Sequence, residues 1–265
     1  MLGLPYVGGG NKVLQHQIYQ NLTPDLNRQN GRIVIGVDSG VKLRYFIGNK
    51  EGGFFYGECE LWEIDPKNPE KQSIEHFLKR WPRSILVADQ GGDLLGPRLL
   101  REKYPGRVFL CFYQSDKKNL QLIRWGENDE AGKVMADRNR MIQKVADEFS
   151  DRRIALQYVE SPDDWYDYWL HWSHIYRIAE EDKSLHTMVY RWERSDRDDW
   201  VHATVYWRIG IDRFGGEGFI SNNDPTRPEP NSYYVTPDDH TDRNPLKKVM
   251  DKVYDPPEKE DWRDQ

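Results

Sequence analysis

The stretch Arg32-Ile33-Val34-Ile35-Gly36-Val37-Asp38-Ser39-Gly40 decides the fold. Its apolar residues run almost unbroken, are mostly β-branched, and stop at an acid followed by a turn pair. That pattern predicts a buried strand whose end reaches the rim of a sheet. Two more strand-like runs follow, 42–48 and 52–62, joined by Asn49-Lys50-Glu51-Gly52-Gly53. Strands this close in sequence predict an antiparallel three-stranded meander.

Downstream the period changes. Residues 73–81 place Ile74, Phe77, Leu78 and Trp81 at helical spacing, and Ile85-Leu86-Val87-Ala88-Asp89 is a short apolar strand that again ends in an acid. A helix over 94–104 and a strand over 108–113 complete a strand–helix–strand–helix–strand order, so the chain is of the α/β class: a mixed central sheet flanked by helices. Residues 115–132 read as a loop or hairpin insertion and 134–149 as an amphipathic helix. Residues 164–179 form a Trp- and Tyr-rich helix, 185–192 a strand and 198–210 a strongly apolar helix. Around this body, 1–30 resembles a linker-like lead-in, 31–213 is the domain proper, and 214–265 is an irregular acidic tail.

The 265 residues are ample for a core. Aromatics make up 13%, with 10 Trp and 15 Tyr, which separates this chain from disordered ones despite 31% charged residues and a mean hydropathy of -0.88. No run of 18 apolar residues is present, and the first ten residues lack the pattern of a secretory leader. Two cysteines, Cys59 and Cys111, form neither a disulfide framework nor a zinc site and fit a reducing setting. The formal net charge of -6 argues against a protein that grips nucleic acid by bulk charge.

Three places carry candidate chemistry. Asp38 ends a buried strand; it either caps the Ser39-Gly40 turn or serves a site at the rim. Asp89 repeats the arrangement, and because Asp93 is the better cap for the following helix, Asp89 is left without a structural task. Sites in α/β sheets form beyond the carboxyl ends of strands, so two such acids reinforce each other. The third place is Asp198-Asp199-Trp200-Val201-His202-Ala203, where Asp199 and Asp198 lie three and four residues before His202 and share a helix face with it. An acidic helix start with a satisfied histidine is the plainer interpretation. Carboxylates from two strand ends and a helix can also converge on Mg²⁺ or Mn²⁺, which take oxygen ligands. Two such ions, about 4 Å apart, would activate water and stabilise a leaving 3′-oxygen.

This order of elements resembles the RNase H-like (retroviral integrase) fold. More narrowly, Ile33–Gly40, Val87-Ala88-Asp89 and Asp198–Ala203 look like the nuclease domain of the large terminase subunit of tailed bacteriophages, and Gly3-Leu4-Pro5-Tyr6 is similar to that family's link to its packaging ATPase. The resemblance covers roughly residues 1 to 215. It implies a metal-dependent endodeoxyribonuclease that cuts concatemeric viral DNA, with Asp38, Asp89 and Asp199 as catalytic, metal-binding acids. It further implies Asp198 as a helper and His202 where many relatives carry another Asp; an imidazole there suits Mn²⁺ at least as well as Mg²⁺. It implies two ions, double-stranded DNA as substrate, and an ATPase domain, portal and small terminase subunit as partners, in the cytoplasm of an infected bacterial host and without a membrane. The ATPase half is missing: residues 126–134 miss the phosphate-loop spacing, with Val134 where Ser or Thr belongs. The chain therefore reads as a nuclease domain of a longer protein. DNA contacts are expected from Lys117, Lys118 and Arg124 in the insertion, close to the last sheet strand.

Three alternatives stand beside this. A sugar-kinase or actin-like ATPase shares the Asp38-Ser39-Gly40 loop but needs a second domain. A packaging module that only docks has no need of acids ending two buried strands. A resolvase or transposase of the same fold differs in its DNA substrate.

Overall fold

The computed structural model describes residues 12–91, 95–114, 121–182 and 187–215. The chain begins with α1 (Gln15–Tyr19) and β1 (Leu22–Thr23), then the meander β2 (Val34–Asp38), β3 (Leu43–Asn49) and β4 (Gly52–Cys59). Next come α2 (Ile74–Arg80), β5 (Ile85–Asp89), α3 (Gly96–Lys103) and β6 (Val108–Gln114). A hairpin of β7 (Ile123–Trp125) and β8 (Lys133–Asp137) leads into α4 (Arg138–Ser150) and β9 (Ala155–Gln157). The last elements are α5 (Tyr166–Ser173), the two-stranded ribbon β10 (Ile175–Asp182) and β11 (Thr187–Arg194), and α6 (Asp199–Phe214).

Among the described residues nine strands make one sheet, in the order β1-β9-β4-β3-β2-β5-β6-β8-β7. The meander pairs antiparallel, whereas β2, β5, β6 and β8 run parallel to one another. The centre of this sheet, β4-β3-β2-β5-β6 with β3 alone reversed, is the mixed sheet that the RNase H-like resemblance implies. Parallel neighbours need crossovers, and α2 and α3 supply them on one face, where Phe77 of α2 stacks edge-on against Tyr45 at 4.8 Å. The other face buries Val34, Phe46 and Val87 against α4, α5 and α6. Phe46 sits in an aromatic layer with Trp165, Tyr168 and Trp207.

Helix α6 lies unusually close to β2. A Cβ on Gly36 would stand 2.0 Å from the Ala203 carbonyl oxygen and 2.3 Å from the Trp207 nitrogen. One on Gly210 would meet the Val34 side chain at 2.5 Å and that of Val87 at 3.2 Å. At Gly36 strand and helix thus touch backbone to backbone, and at Gly210 the helix backbone seats on the Val34 and Val87 side chains, approaches that a residue without a Cβ allows. The same contacts set direction: Gly210 lies over the start of β2 and Ala203 over its middle, so α6 runs antiparallel to the strand. From Ala203 back to Asp199 is four helical residues, ~6 Å, and from Gly36 to Asp38 is two strand residues, ~6.6 Å. The first turn of α6 therefore comes level with the end of β2.

Several sequence expectations are corrected here. Part of the expected lead-in is structural: Val13 and Ile18 are buried, β1 pairs with β9, and the Asn21 side-chain amide donates to the Phe149 carbonyl at 2.8 Å. The expected helix over 134–149 is divided. Residues 133–137 alternate between partly buried and buried as a strand, and Asp137 then caps α4 by accepting the Arg140 N–H at 3.0 Å. The apolar spacing from Val134 to Phe149 suited a helix throughout, but pairing with β6 claims its first residues, up to Asp137. The expected helix over 164–179 likewise stops at Ser173, because Ile175 onward pairs with β11. The insertion does contain a hairpin strand, β7, although residues 115–120 lie outside the described residues, as do Gly3–Tyr6 and the tail beyond residue 215. No helix among the described residues is long and apolar enough to cross a membrane.

If the α6–β2 contact rests on a missing side chain, then Gly36→Ala should destabilise the fold by ~1–3 kcal/mol or more, as overpacking does. Gly40→Ala, whose added Cβ would have nothing closer than 3.5 Å, should be near neutral. Urea unfolding of the two variants measures the difference.

Candidate functional site

Side chains alternate along a strand, so Asp38 points to the same face as Val34 and Gly36, the face that α6 covers. By the same rule Asp89 follows Val87 onto that face. Parallel pairing of Val37 with Ala88 sets the two acids side by side at the carboxyl ends of β2 and β5. α6 then brings Asp199 opposite them. Hydrogen bonds tie the group together. The Ser39 hydroxyl, next to Asp38, donates to Asp89 Oδ2 at 3.1 Å, and the buried Tyr206 hydroxyl of α6 donates to Asp89 Oδ1 at 3.2 Å. Arg44, in register with Asp38 across the meander, lies with Nη1 3.0 Å from Asp199 Oδ2.

The electrostatics agree with this grouping. Burial and then the charges of Asp89, Asp199 and Asp198 push the Asp38 carboxyl well above the ordinary range, and Arg44 opposes them. Among the described residues the Asp38 carboxylate accepts no hydrogen bond. It therefore does not cap the Ser39-Gly40 turn, which would need it to accept a backbone N–H.

Asp198 and His202 are placed differently. Asp198 is buried at the start of α6 and faces three basic side chains: His202 Nε2 at 3.1 Å, Arg194 at 3.2 Å and Arg138 at 3.6 Å. Burial alone would raise its carboxyl, but His202 and Arg194 outweigh that and hold it at about 2. The other nitrogen of His202, Nδ1, bonds the Tyr113 hydroxyl at 2.9 Å. Both ring nitrogens of His202 are thus engaged within the protein. Of the expected DNA contacts, Arg124 is exposed on β7 and pairs with Glu130 at 3.7 Å, while Lys117 and Lys118 lie outside the described residues. Asp93, the expected cap of α3, lies outside them too.

Four residues escaped the sequence reading. Ser39 and Tyr206 orient Asp89, Arg44 holds Asp199, and the buried His171 of α5 accepts the Trp200 N–H at 3.4 Å, satisfying an otherwise free donor in the first turn of α6. Arg44 could have been found by counting across the hairpin turn from Asp38. Tyr206 lies two helical turns after Asp199, on its face. Nothing in the sequence pointed to His171.

Chemically, three carboxylates from three elements form a hard-oxygen donor set suited to Mg²⁺ or Mn²⁺, and Asp38 offers an uncommitted carboxylate. Among the described residues no three His, Cys, Asp or Glu side chains are closed around a single ion position. The acids are grouped, but Asp199 is drawn toward Arg44.

No protein-family model matches the chain, and no curated protein matches it. Solved structures do align with it. The large terminase nuclease from thermophilic phage G20c aligns at 11% identity and a TM-score of 0.43, over 77% of this chain and 99% of that one. The large terminase of a second thermophilic bacteriophage aligns at 12% identity and a TM-score of 0.41, over 81% of this chain and 48% of that one. At this level of likeness no residue role or activity passes from those structures to this chain.

Two measurements probe the site's electrostatics. Neutralising Asp38 relieves the repulsion among the acids, so Asp38→Asn should raise the Tm of the metal-free protein; a lower Tm would mean the acids do not repel. Burial holds His171 down at about 4. The unfolded chain takes up that proton near 6.5, so stability is lost as pH falls from about 6.5 to about 4. Urea unfolding across that window should show a shallower loss for His171→Gln than for the wild type.

Proposed function

We propose that this chain is the divalent-metal-dependent nuclease of a viral genome-packaging motor, an endonuclease that cuts concatemeric double-stranded DNA by phosphodiester hydrolysis. The observation that carries this reading is the delivery of Asp38, Asp89 and Asp199 to one place by two strand ends and a facing helix, with Asp38 left unneutralised. A structural role gives no reason to gather like charges at a partly buried rim, whereas a cation-binding role requires it. The sheet order supports the RNase H-like resemblance on which the packaging context rests.

Asp38, Asp89 and Asp199 would hold Mg²⁺ or Mn²⁺, two ions in all. Bound ions would supply neutralisation of phosphate charge and an activated water. The chain's own residues do the orienting. Ser39 and Tyr206 fix both oxygens of Asp89, and the Tyr206 hydroxyl, kept protonated by burial, keeps the hydrogen it donates to Asp89 Oδ1. Asp198 and His202 hold each other at the start of α6 and in this reading position Asp199 instead of binding the ion.

The net charge of -6 fits an enzyme that binds DNA weakly and with strong salt dependence. Lys117, Lys118 and Arg124 remain the proposed DNA contacts. An ATPase domain, with the portal and small terminase subunit, would then present the DNA, in the cytoplasm of an infected bacterial host.

The test is nicking of supercoiled plasmid with Mn²⁺ or Mg²⁺. Asp38→Ala, Asp89→Ala and Asp199→Ala are each expected to lower the rate by about 100-fold or more, and Asp198→Ala by nearer tenfold, as for a residue acting through a ligand. Chelator should abolish cleavage. Equal nicking by the wild type and the three variants would overturn the assignment.

A further inference from the structure

The ion pair between Arg44 and Asp199 has no task in the cleavage chemistry above. Arg44 is only 9% exposed. Its guanidinium reaches two acids, with Nη1 3.0 Å from Asp199 Oδ2 and Nη2 3.2 Å from Glu58 Oε2. It lies 5.8 Å from the ring centroid of Trp200, the residue after Asp199, and its Nε finds no acceptor among the described residues. It is also the cation that opposes the acids acting on Asp38.

A fixed guanidinium inside an acid cluster does two things. It offsets the repulsion that would otherwise splay the acids, and it lowers their attraction for any other cation. We propose that Arg44 is the resident counter-ion of this cluster, a positioning residue that holds Asp199 by a guanidinium bond and competes with a divalent cation for that carboxylate. This rests on the reading of the cluster as a divalent-cation site. Glu58 completes the device. It stands at the more exposed rim and retains one arm of Arg44 when Asp199 turns to a cation, so the exchange breaks one ion pair without leaving a buried guanidinium unpaired. Cation uptake therefore begins from an ordered cluster.

The experiment is Mn²⁺ titration calorimetry on the DNA-free chain, with the Mn²⁺-induced rise in Tm as a second readout. Arg44→Gln should bind Mn²⁺ about three- to tenfold more tightly than wild type, with a lower Tm without metal and a larger rise with it. Loss of a purely structural arginine would weaken binding, so tighter binding cannot be imitated by local disorder. Arg194→Gln removes an exposed cation that pairs with Asp198 and should stay within about twofold of wild type. If Arg44→Gln does not fold, Glu58→Gln carries the test: with its second partner gone, Arg44 belongs to Asp199 alone and Mn²⁺ binding should weaken. Unchanged or weaker binding by folded Arg44→Gln, equal tightening by Arg194→Gln, or unchanged binding by Glu58→Gln each overturns the proposal while wild type binds Mn²⁺. Absence of binding by wild type overturns the cation-site reading itself, and this inference with it.

Discussion

The backbone contact between α6 and β2 is the constraint on which the rest depends. A strand and a helix normally stand apart by the thickness of their side chains. At Gly36 that layer is absent, and the Ala203 carbonyl and Trp207 nitrogen come to where a Cβ would be. Gly210 repeats the approach over Val34 and Val87. Two such points fix both the distance and the direction of the helix. Asp199 then has no freedom to lie anywhere but level with Asp38. Backbone packing remote from the acids thus sets the geometry of the acids.

Grouping those acids is unfavourable, and the structure divides the burden. Asp198 is paired with Arg138 and Arg194 and hydrogen-bonded to His202. Asp199 has Arg44, and Asp89 has the Ser39 and Tyr206 hydroxyls. Among the four, Asp38 alone accepts no such bond, and burial, followed by the charges of the neighbouring acids, pushes its carboxyl upward. The gradation runs from the fully paired flank to the uncommitted centre. It gives the formal charge of -6 a local meaning: acids close to the site are individually matched by donors or cations, with one exception, and that exception lies where a divalent cation would be drawn.

The fold was legible wherever a pattern was long enough to exclude its rivals. The apolar run into Asp38, its repeat into Asp89 and the apolar helix from residue 198 each had a single interpretation, and the sheet is built on them. Short or ambiguous patterns failed. β9 is three residues long and carries no period, and the run from Val134 kept helical spacing through Phe149 although pairing with β6 claims its first residues as a strand. The part of residues 1–30 that packs was missed because Val13-Leu14 and Ile18-Tyr19 are too few to set a period, and the helices that α1 packs against, α4 and α5, lie over a hundred residues downstream.

By itself the sequence determined which acids end buried strands and which open a helix, because those facts depend on neighbours a few residues away. It determined the element order from which the meander and the parallel strands follow. Only the tertiary structure decided which acid pairs with what. That Asp199 and Asp198, adjacent in the chain, face different partners, one Arg44 and the other a basic trio, depends on side-chain directions around a helix turn and on residues from β3, α4 and β11. Ion pairs act through space over a few ångströms, and the sequence positions that meet there lie up to 155 residues apart.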